Sequence, residues 1–379
     1  MAIPDISFLR KEIKEINMIG KYAQLLVEYC LELKEGERLF IQSTTLAEPL
    51  VREVYRHALR IGAHVVTDLE WREQHRIYFQ ESKEHQLQWL SPNQEKIFAD
   101  FEAYLYIRAP FNLREDQNID PDKIKIRSEA RKEVSEVYSK RTATRALKRC
   151  LCQYPTQASA QQAGMSLEEY ESFVFNACKL YDEDPKASWL QVRREQQYIV
   201  DYLNKIAEIT FKKEGTNLTC NVKDRIWMNS DGQTNMPSGE VYTAPHEEQV
   251  NGTVYFDYPS IFRGHPVEGI LLEIKDGKVV DYSAKTGQKL LDEVFAVKGA
   301  RTFGEVAIGT NYSIQQPTGN ILFDEKIGGS FHMAVGQAYY QTGGKNTSTI
   351  HWDMISDMKK DGEIWADGKL IYRQGKFLI

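Results

Sequence analysis

The spacing of hydrophobic residues changes along the chain from a helical period to a strand-like one. Near the amino terminus, Tyr22, Leu25, Leu26, Tyr29 and Leu33 recur at intervals of three and four, which predicts one face of a helix ending before Gly36. The runs that follow alternate in type: RLFIQST, AHVVTDLE and FEAYLYIRA predict strands, and residues 47–61 predict an amphipathic helix. Strands separated by helices of this length imply right-handed crossovers and a parallel sheet.

The middle of the chain, residues 112–210, is rich in charge and predicts mostly helix. The run KIRSEARKEVSEVYSKRTATRALKR has many opposite charges four residues apart, which is typical of a solvated helix face. Ser166 followed by Glu169 predicts a capping box at the start of another helix. We therefore expect an amino-terminal α/β domain with a helical extension over residues 1–210.

After residue 210 the pattern turns to strands. The segments GILLEIKDGKVVDYSA and GEIWADGKLIYRQGKFLI predict hairpins with Asp-Gly turns at 276–277 and 367–368. Helices are few here, and TGQKLLDEVFA is the clearest. Residues 211–379 are therefore expected to form a β-rich domain of the α+β class.

Composition and charge limit the possible functions. A formal charge of −6 and a pI near 5.9 argue against a nucleic-acid-binding protein, which would normally be basic. The five cysteines are scattered, which favours free thiols in a reducing compartment. The amino terminus has charges where a signal peptide needs an apolar core, and no apolar run is long enough to span a membrane. We expect a cytoplasmic protein.

Candidate chemistry is concentrated between residues 324 and 354. His332 and His351 lie in this stretch, and Asp353 follows His351 by two residues. On a strand, an H-x-D pair places both side chains on one face. Imidazole and carboxylate together are ligands for zinc, cobalt or manganese. The alternative for the pair alone is a packed histidine beside a capping aspartate.

Two glutamates add to this set. Glu240 and Glu305 each follow a glycine at the start of a strand-like run. A carboxylate in an apolar strand is costly to bury unless it is paired or bound to a metal, although either glutamate alone could lie at the exposed end of a strand. With the histidines and Asp353 they make a set suited to two adjacent divalent cations, bridged by a carboxylate.

Four ordered blocks of sequence resemble those of the thermophilic metallo-aminopeptidases, the aminopeptidase T, S and II family. They are GEVYTAPHEEQVNGTVYFD, GEVAIGTN, DEKIGGSFHMAVGQAYYQTGGKN and IHWDMISDM. The resemblance extends through the chain and is densest from 239 to 354. It implies a two-domain homodimer, a carboxy-terminal metal-binding catalytic domain with two divalent ions (Zn, Co, Mn or Mg), and release of amino-terminal residues from short peptides with a free amino terminus.

The resemblance also implies roles for individual residues. Glu240 and Glu305 match the family's glutamate ligands, Glu305 being the bridging one, and the matched nitrogen and aspartate ligands are His332, His351 and Asp353. Tyr339 matches the family's tyrosine, and Glu325 is a further acidic residue of the site and a candidate proton shuttle. Two features depart from the family pattern. Tyr340 stands where proline is expected in many relatives, and the spacing of 12 between Tyr339 and His351 is short for some members. Both affect the expected shape of the substrate pocket.

Two other functions are compatible with the same residues. One is a metal-dependent dipeptidase or amidase, and the other is a metal-stabilised peptide-binding protein without activity. Structural metal sites usually saturate the ion with cysteine and histidine, whereas oxygen and nitrogen donors leave room for water. This difference favours an enzyme, with no nucleic-acid or membrane partner expected.

Overall fold

The structure is a computed structural model that describes residues 18–262 and 264–379. Its contacts divide the chain into two compact units. The first runs through Ser188 and includes Gly232–Pro237, and the second consists of Trp189–Asp231 and Ser238–Ile379. We propose a domain division at residue 210, where the predicted pattern changes from helices to strands. The two compact units are defined differently, by contacts between residues.

A five-stranded parallel sheet organises the first unit, in the strand order β2-β1-β3-β4-β8. Its strands are β1 (Arg38–Thr44), β2 (His64–Glu70), β3 (Ala103–Arg108), β4 (Lys148–Gln153) and β8 (Asn235–Met236). The run RLFIQST, predicted to be a strand, forms β1, and its residues Leu39, Phe40 and Ile41 are buried. The predicted parallel sheet is confirmed.

Helices connect these strands. The first, α1, covers residues 18–25 and continues into a π-helical turn at Leu26–Cys30. The others, in chain order, are α2 (Glu48–Ile61), α3 (Gln74–Glu81), α4 (Glu84–Gln88), α5 (Pro92–Asp100), α6 (Pro121–Ala130), α7 (Lys132–Ala143), α8 (Gln157–Gln162), α9 (Leu167–Ala177) and α10 (Pro185–Leu203), most of which belongs to the second unit. Gly62 ends α2 at a φ of 90°, and the predicted capping box between Ser166 and Glu169 is present. None of the helices in the described part of the chain is long and apolar enough to cross a membrane.

The strand β4 corrects the prediction that the charged stretch around 124–149 is helical to its end. Helix α7 stops at Ala143, and Lys148 already belongs to the sheet. Cys150 and Cys152, two residues apart, point into the core and are fully buried. Two cysteines between charged and polar neighbours give a weak strand pattern, so the sequence did not reveal it.

The second unit contains an eight-stranded antiparallel sheet, in the order β14-β13-β10-β6-β5-β18-β19-β20. Its strands are β5 (Glu208–Lys213), β6 (Thr216–Asn221), β10 (Val250–Phe256), β13 (Ile270–Lys275), β14 (Lys278–Ser283), β18 (Glu363–Ala366), β19 (Lys369–Arg373) and β20 (Lys376–Phe377). Both predicted Asp-Gly hairpins are confirmed, β13–β14 and β18–β19. Asp276 and Gly277 have φ values of 48° and 75°, as a two-residue hairpin turn requires.

A second antiparallel sheet of this unit, which we call the ligand sheet, has the order β17-β16-β15-β9-β7. Its strands are β7 (Met228–Ser230), β9 (Glu240–Thr243), β15 (Phe303–Gly309), β16 (Ser330–Gly336) and β17 (His351–Asp357). The remaining elements are the hairpin β11–β12 (Ser260–Phe262 and His265–Val267), α11 (Gln288–Phe295), α12 (Ile321–Asp324) and short 3₁₀ turns at Thr45–Ala47 and Tyr340–Thr342.

One face of the ligand sheet belongs to the hydrophobic core. Val241, Val306, Phe331 and Met333 are fully buried members of it. Phe331 stacks on Phe211 of the eight-stranded sheet with ring centroids 4.4 Å apart. Because side chains alternate along a strand, the residues between these apolar ones project from the opposite face. That opposite face carries the candidate chemistry.

Candidate metal centre

All five predicted ligands lie on the ligand sheet. Glu240 is the first residue of β9, Glu305 and His332 are the third residues of β15 and β16, and His351 and Asp353 are the first and third of β17. The sheet therefore brings together groups that are far apart in sequence. The H-x-D pair lies on a strand, as its spacing predicted.

Each of these side chains has a very small residue directly opposite it on a neighbouring strand. The pairs are Glu240 with Gly309, Glu305 with Ala334, His332 with Ala307, Asp353 with Ala334 and His351 with Gly336. Opposite residues in an antiparallel pair point to the same face, with Cβ atoms about 5 Å apart. Glycine and alanine there leave space for the larger side chains, which consequently converge on one region above the sheet.

The carboxylates are buried, which excludes the reading of the two glutamates as exposed strand ends. Glu240 is 5 % exposed, Glu305 4 % and Asp353 7 %, while His332 is fully buried. Burying several ionisable groups together is unfavourable unless each is paired with opposite charge or bound to a metal. Their joint burial therefore indicates a site with a specific occupant.

Glu305 is central to the arrangement, because its two oxygens face different histidines. Its Oε1 lies 3.8 Å from Nε2 of His332, and its Oε2 lies 3.3 Å from Nε2 of His351. Nε2 of His351 is also 3.6 Å from Oδ2 of Asp353, and Nε2 of His332 is 3.5 Å from Oε2 of Glu240. A carboxylate with one oxygen toward each of two imidazoles has the form of a bridging ligand.

Several ligand-type atoms in this cluster are buried without a hydrogen-bond partner. They are Oε2 of Glu240, both ring nitrogens of His332 and Oδ1 of Asp353. Buried polar atoms are normally satisfied, so unpartnered ones call for a ligand or solvent. Two groups have donor atoms within 4.8 Å of one another, Glu240 with Glu325 and His332, and Glu305 with His332 and Asp353. These residues fit the mixed nitrogen and oxygen coordination of divalent cations.

The orientation of His351 is fixed by the backbone. Its Nδ1 lies 2.8 Å from the carbonyl oxygen of Gln337 and donates to it. This hydrogen bond turns Nε2 toward the carboxylates, the position from which a neutral ring can present its lone pair to a metal ion. The sequence did not identify Gln337, because its contribution is a carbonyl group that any residue has.

Electrostatics couple the histidines to the acids. Burial lowers the pKa of His332, but Glu305 and Glu240 outweigh it and raise that pKa to about 9. His351 behaves alike, with Asp353 and Glu305 raising its pKa to about 10 against the effect of burial. Burial raises the pKa of Glu305, and the two imidazoles bring it below its ordinary value. In the metal-free chain imidazolium–carboxylate pairs hold the cluster together, so a cation has to displace protons to bind.

A buried lysine that sequence reasoning missed adds a positive charge beside two of the carboxylates in the cluster. Nζ of Lys326 donates to Oε1 of Glu240 at 2.7 Å and also to Glu325. Its side chain is 1 % exposed. Burial lowers the pKa of Lys326, but the two carboxylates raise it above its ordinary value, so the ammonium stays charged. The motif DEKIGG contains Lys326, but a lysine next to two acids in sequence usually indicates a solvated turn.

Glycine allows the turn with Glu325 and Lys326 to lie against the ligand sheet. A Cβ on Gly309 would be 2.2 Å from the carbonyl oxygen of Ile327, so any larger residue would push the turn away. The backbone bond from Asn311 N to Lys326 O, 3.0 Å long, fixes the same approach. Among the acids in the two groups of close donor atoms, Glu325 alone lies outside the ligand sheet. This contact between the turn and the sheet brings it to the site.

Tyr339 lies at the edge of the cluster. Its ring centroid is 5.2 Å from that of His351 and 5.7 Å from that of Tyr242. Its side chain is 42 % exposed, so it faces solvent on one side and the ligands on the other. A hydroxyl at such a boundary can meet a molecule that enters from solvent.

A buried cluster of imidazole and carboxylate groups suits divalent cations, and sequence comparison places the chain among the metallopeptidases. The family described as thermophilic metalloprotease (M29) matches residues 16–377, which is nearly the whole chain. The chain belongs to this family and is a metallopeptidase.

Two named aminopeptidases align with this chain over almost their full length. Aminopeptidase 2 of Geobacillus stearothermophilus is 29% identical, with 95% of this chain and 97% of the relative covered. Aminopeptidase AmpS of Bacillus subtilis (strain 168) is 26% identical, with 95% and 98% covered. The solved structure of wild-type AmpT from Thermus thermophilus superposes with a TM-score of 0.82 at 23% identity, covering 96% of this chain and 99% of that one. This last likeness establishes the fold.

Proposed function

We propose that the chain is a metal-dependent aminopeptidase that releases amino-terminal residues from peptides at a co-catalytic pair of divalent metal ions. The observation that supports it most is Glu305, whose buried carboxylate faces His332 with one oxygen and His351 with the other. The names of the relatives, aminopeptidases of one family, support the choice of peptidase class.

We assign the ligands by their place around Glu305. One ion would be held by Glu240 and His332 and the other by His351 and Asp353, and Glu305 would serve as the bridging ligand. Glu325, which shares a group of close donor atoms with Glu240 and His332, borders the first site as a further acidic residue. Mixed imidazole and carboxylate donors suit zinc, cobalt or manganese, and magnesium where oxygen donors dominate.

When bound, such a pair lowers the pKa of a coordinated water and polarises the scissile carbonyl. The chain's own groups do the rest. The Tyr339 hydroxyl donates a hydrogen bond to the oxygen that becomes negative as the carbonyl is attacked. Glu325 takes a proton from the attacking water and gives it to the leaving amine, in line with a pKa that burial raises while Lys326 pulls it back.

The proposal also includes the substrates, the oligomeric state and the cellular location of the enzyme. Its substrates are short peptides with a free amino terminus, and the family resemblance implies a homodimer. A cytoplasmic location is supported by the five cysteines, which are buried thiols, as is usual in a reducing compartment.

Hydrolysis of a free-amine aminoacyl anilide, compared with its N-acetylated form, tests this function. We expect cleavage of the free amine only, complete loss after exhaustive chelation, and recovery on adding zinc, cobalt or manganese. Equal cleavage of the N-acetylated anilide would identify an amidase instead. Cleavage of dipeptides but not of longer peptides would identify a dipeptidase, and metal binding with no hydrolysis would leave a peptide-binding protein.

A further inference from the structure

A small cleft opens beside the metal centre at the outer edge of strand β17. His351 and Asp353 form one side of it, and its volume is about 110 Å³. The hairpin strand β11 contributes Ile261 and Phe262, and α12 contributes Ile321. We call this space, lined by these residues and Trp352, the apolar cleft.

The polar atoms in its lining are already used inside the protein. Asp324 accepts three hydrogen bonds, from the backbone and hydroxyl of Thr318 and from the backbone of Gly319. Ser260 Oγ accepts from the indole of Trp352 at 2.7 Å and donates to the carbonyl oxygen of Asp353. A molecule in the cleft therefore finds few free polar partners there beyond the metal ligands.

The surface that remains open is hydrocarbon. Ile261 is 38 % exposed and Ile321 is 43 % exposed, and both lie in the lining of the cleft. Phe262 packs on Trp352 with ring centroids 4.9 Å apart, which gives the cleft a rigid aromatic wall. Exposed apolar side chains grouped next to a polar centre are the usual composition of a small-molecule subsite.

The size of the cleft fits one side chain. An apolar cavity of about 150 Å³ holds a benzene molecule, so about 110 Å³ suits a branched aliphatic group but not an indole. In an aminopeptidase the free amine and the side chain share the same Cα. A substrate whose amine meets the ligands at His351 and Asp353 therefore places its first side chain within reach of this cleft.

We propose that the apolar cleft binds the side chain of the substrate's amino-terminal residue and selects aliphatic residues such as leucine. This inference rests on the proposed function. It also predicts discrimination against charge, because a charged side chain in the cleft would lose its water and find few free polar partners there. We therefore expect kcat/KM for leucine to exceed that for lysine and that for glutamate.

The test compares leucyl, alanyl, lysyl and glutamyl anilides in the metal-loaded enzyme and in two variants, Ile321→Asp and Ile321→Ala. For the wild type we expect kcat/KM for leucine to exceed that for alanine at least about tenfold. The reason is that each additional methylene in an apolar pocket raises kcat/KM by about that factor. Ile321→Asp should lower the leucine-to-alanine ratio about tenfold and Ile321→Ala by less. Val280→Asp, which changes an aliphatic residue that is 50 % exposed outside the cleft, should leave the ratio unchanged.

Three results would overturn the proposal. An unchanged ratio in both Ile321 variants, with melting temperatures near that of the wild type, would show that the cleft does not hold the side chain. A wild-type preference for lysine or glutamate over leucine would show that its chemistry is not apolar selection. If no free-amine anilide is cleaved at all, the proposed function fails together with the subsite.

Discussion

Replacing Glu305 by glutamine should lower kcat/KM for a leucyl anilide about a hundredfold or more, which corresponds to about 3 kcal/mol of transition-state stabilisation. Glutamine keeps the size of the side chain but loses its negative charge. At this position the charge serves two sites at once, since Oε1 faces His332 and Oε2 faces His351. This one substitution is therefore expected to weaken both metal sites.

Glu273→Gln is the matched control, because Glu273 is an exposed strand glutamate on β13. We expect it to keep wild-type activity. Metal content should be measured for each variant, so that loss of an ion is separated from loss of activity with both ions present. Near-normal turnover of Glu305→Gln with two ions bound would contradict the bridging role.

Replacing Lys326 by methionine should destabilise the metal-free protein by about 3–5 kcal/mol, the cost of removing one partner from a buried ion pair. The Lys326 ammonium is the cation nearest to Glu240 and Glu325, at 2.7 Å from the former. Without it, two buried carboxylates are left next to each other. Urea unfolding in the presence of chelator measures the change.

The effect should depend on metal. A bound divalent cation supplies positive charge to Glu240, so added metal should stabilise Lys326→Met more than it stabilises the wild type. Lys359→Met is the control, because Lys359 is 36 % exposed and lies 4.0 Å from Asp357, and exposed pairs contribute about 0–1 kcal/mol. Equal stability of Lys326→Met and wild type in chelator would show that the ammonium is not the compensating charge.

Local patterns in the sequence were sufficient for much of the fold. The buried run of β1, the capping box at Ser166 and the Asp-Gly hairpins each depend on residues close in sequence, and each is present. The H-x-D pair belongs to the same class, because two residues on one strand share a face regardless of what the strand pairs with.

What the sequence alone could not reveal depends on pairing between distant segments. The place of Gly309 opposite Glu240 and of Ala334 between Glu305 and Asp353 is set by strand register, which joins segments far apart in the chain. Lys326 is buried only because a turn lies against the sheet at Gly309. In these cases the residue type was visible in the sequence, but its environment was not.

Anomalous diffraction from crystals of the zinc-loaded protein tests the two-metal centre most directly. We expect two anomalous peaks per chain on the face of the ligand sheet that carries the five candidate ligands, one beside Glu240 and His332 and one beside His351 and Asp353, with Glu305 between them. A single peak in fully loaded crystals, or peaks away from these side chains, would contradict a co-catalytic pair held by these five residues.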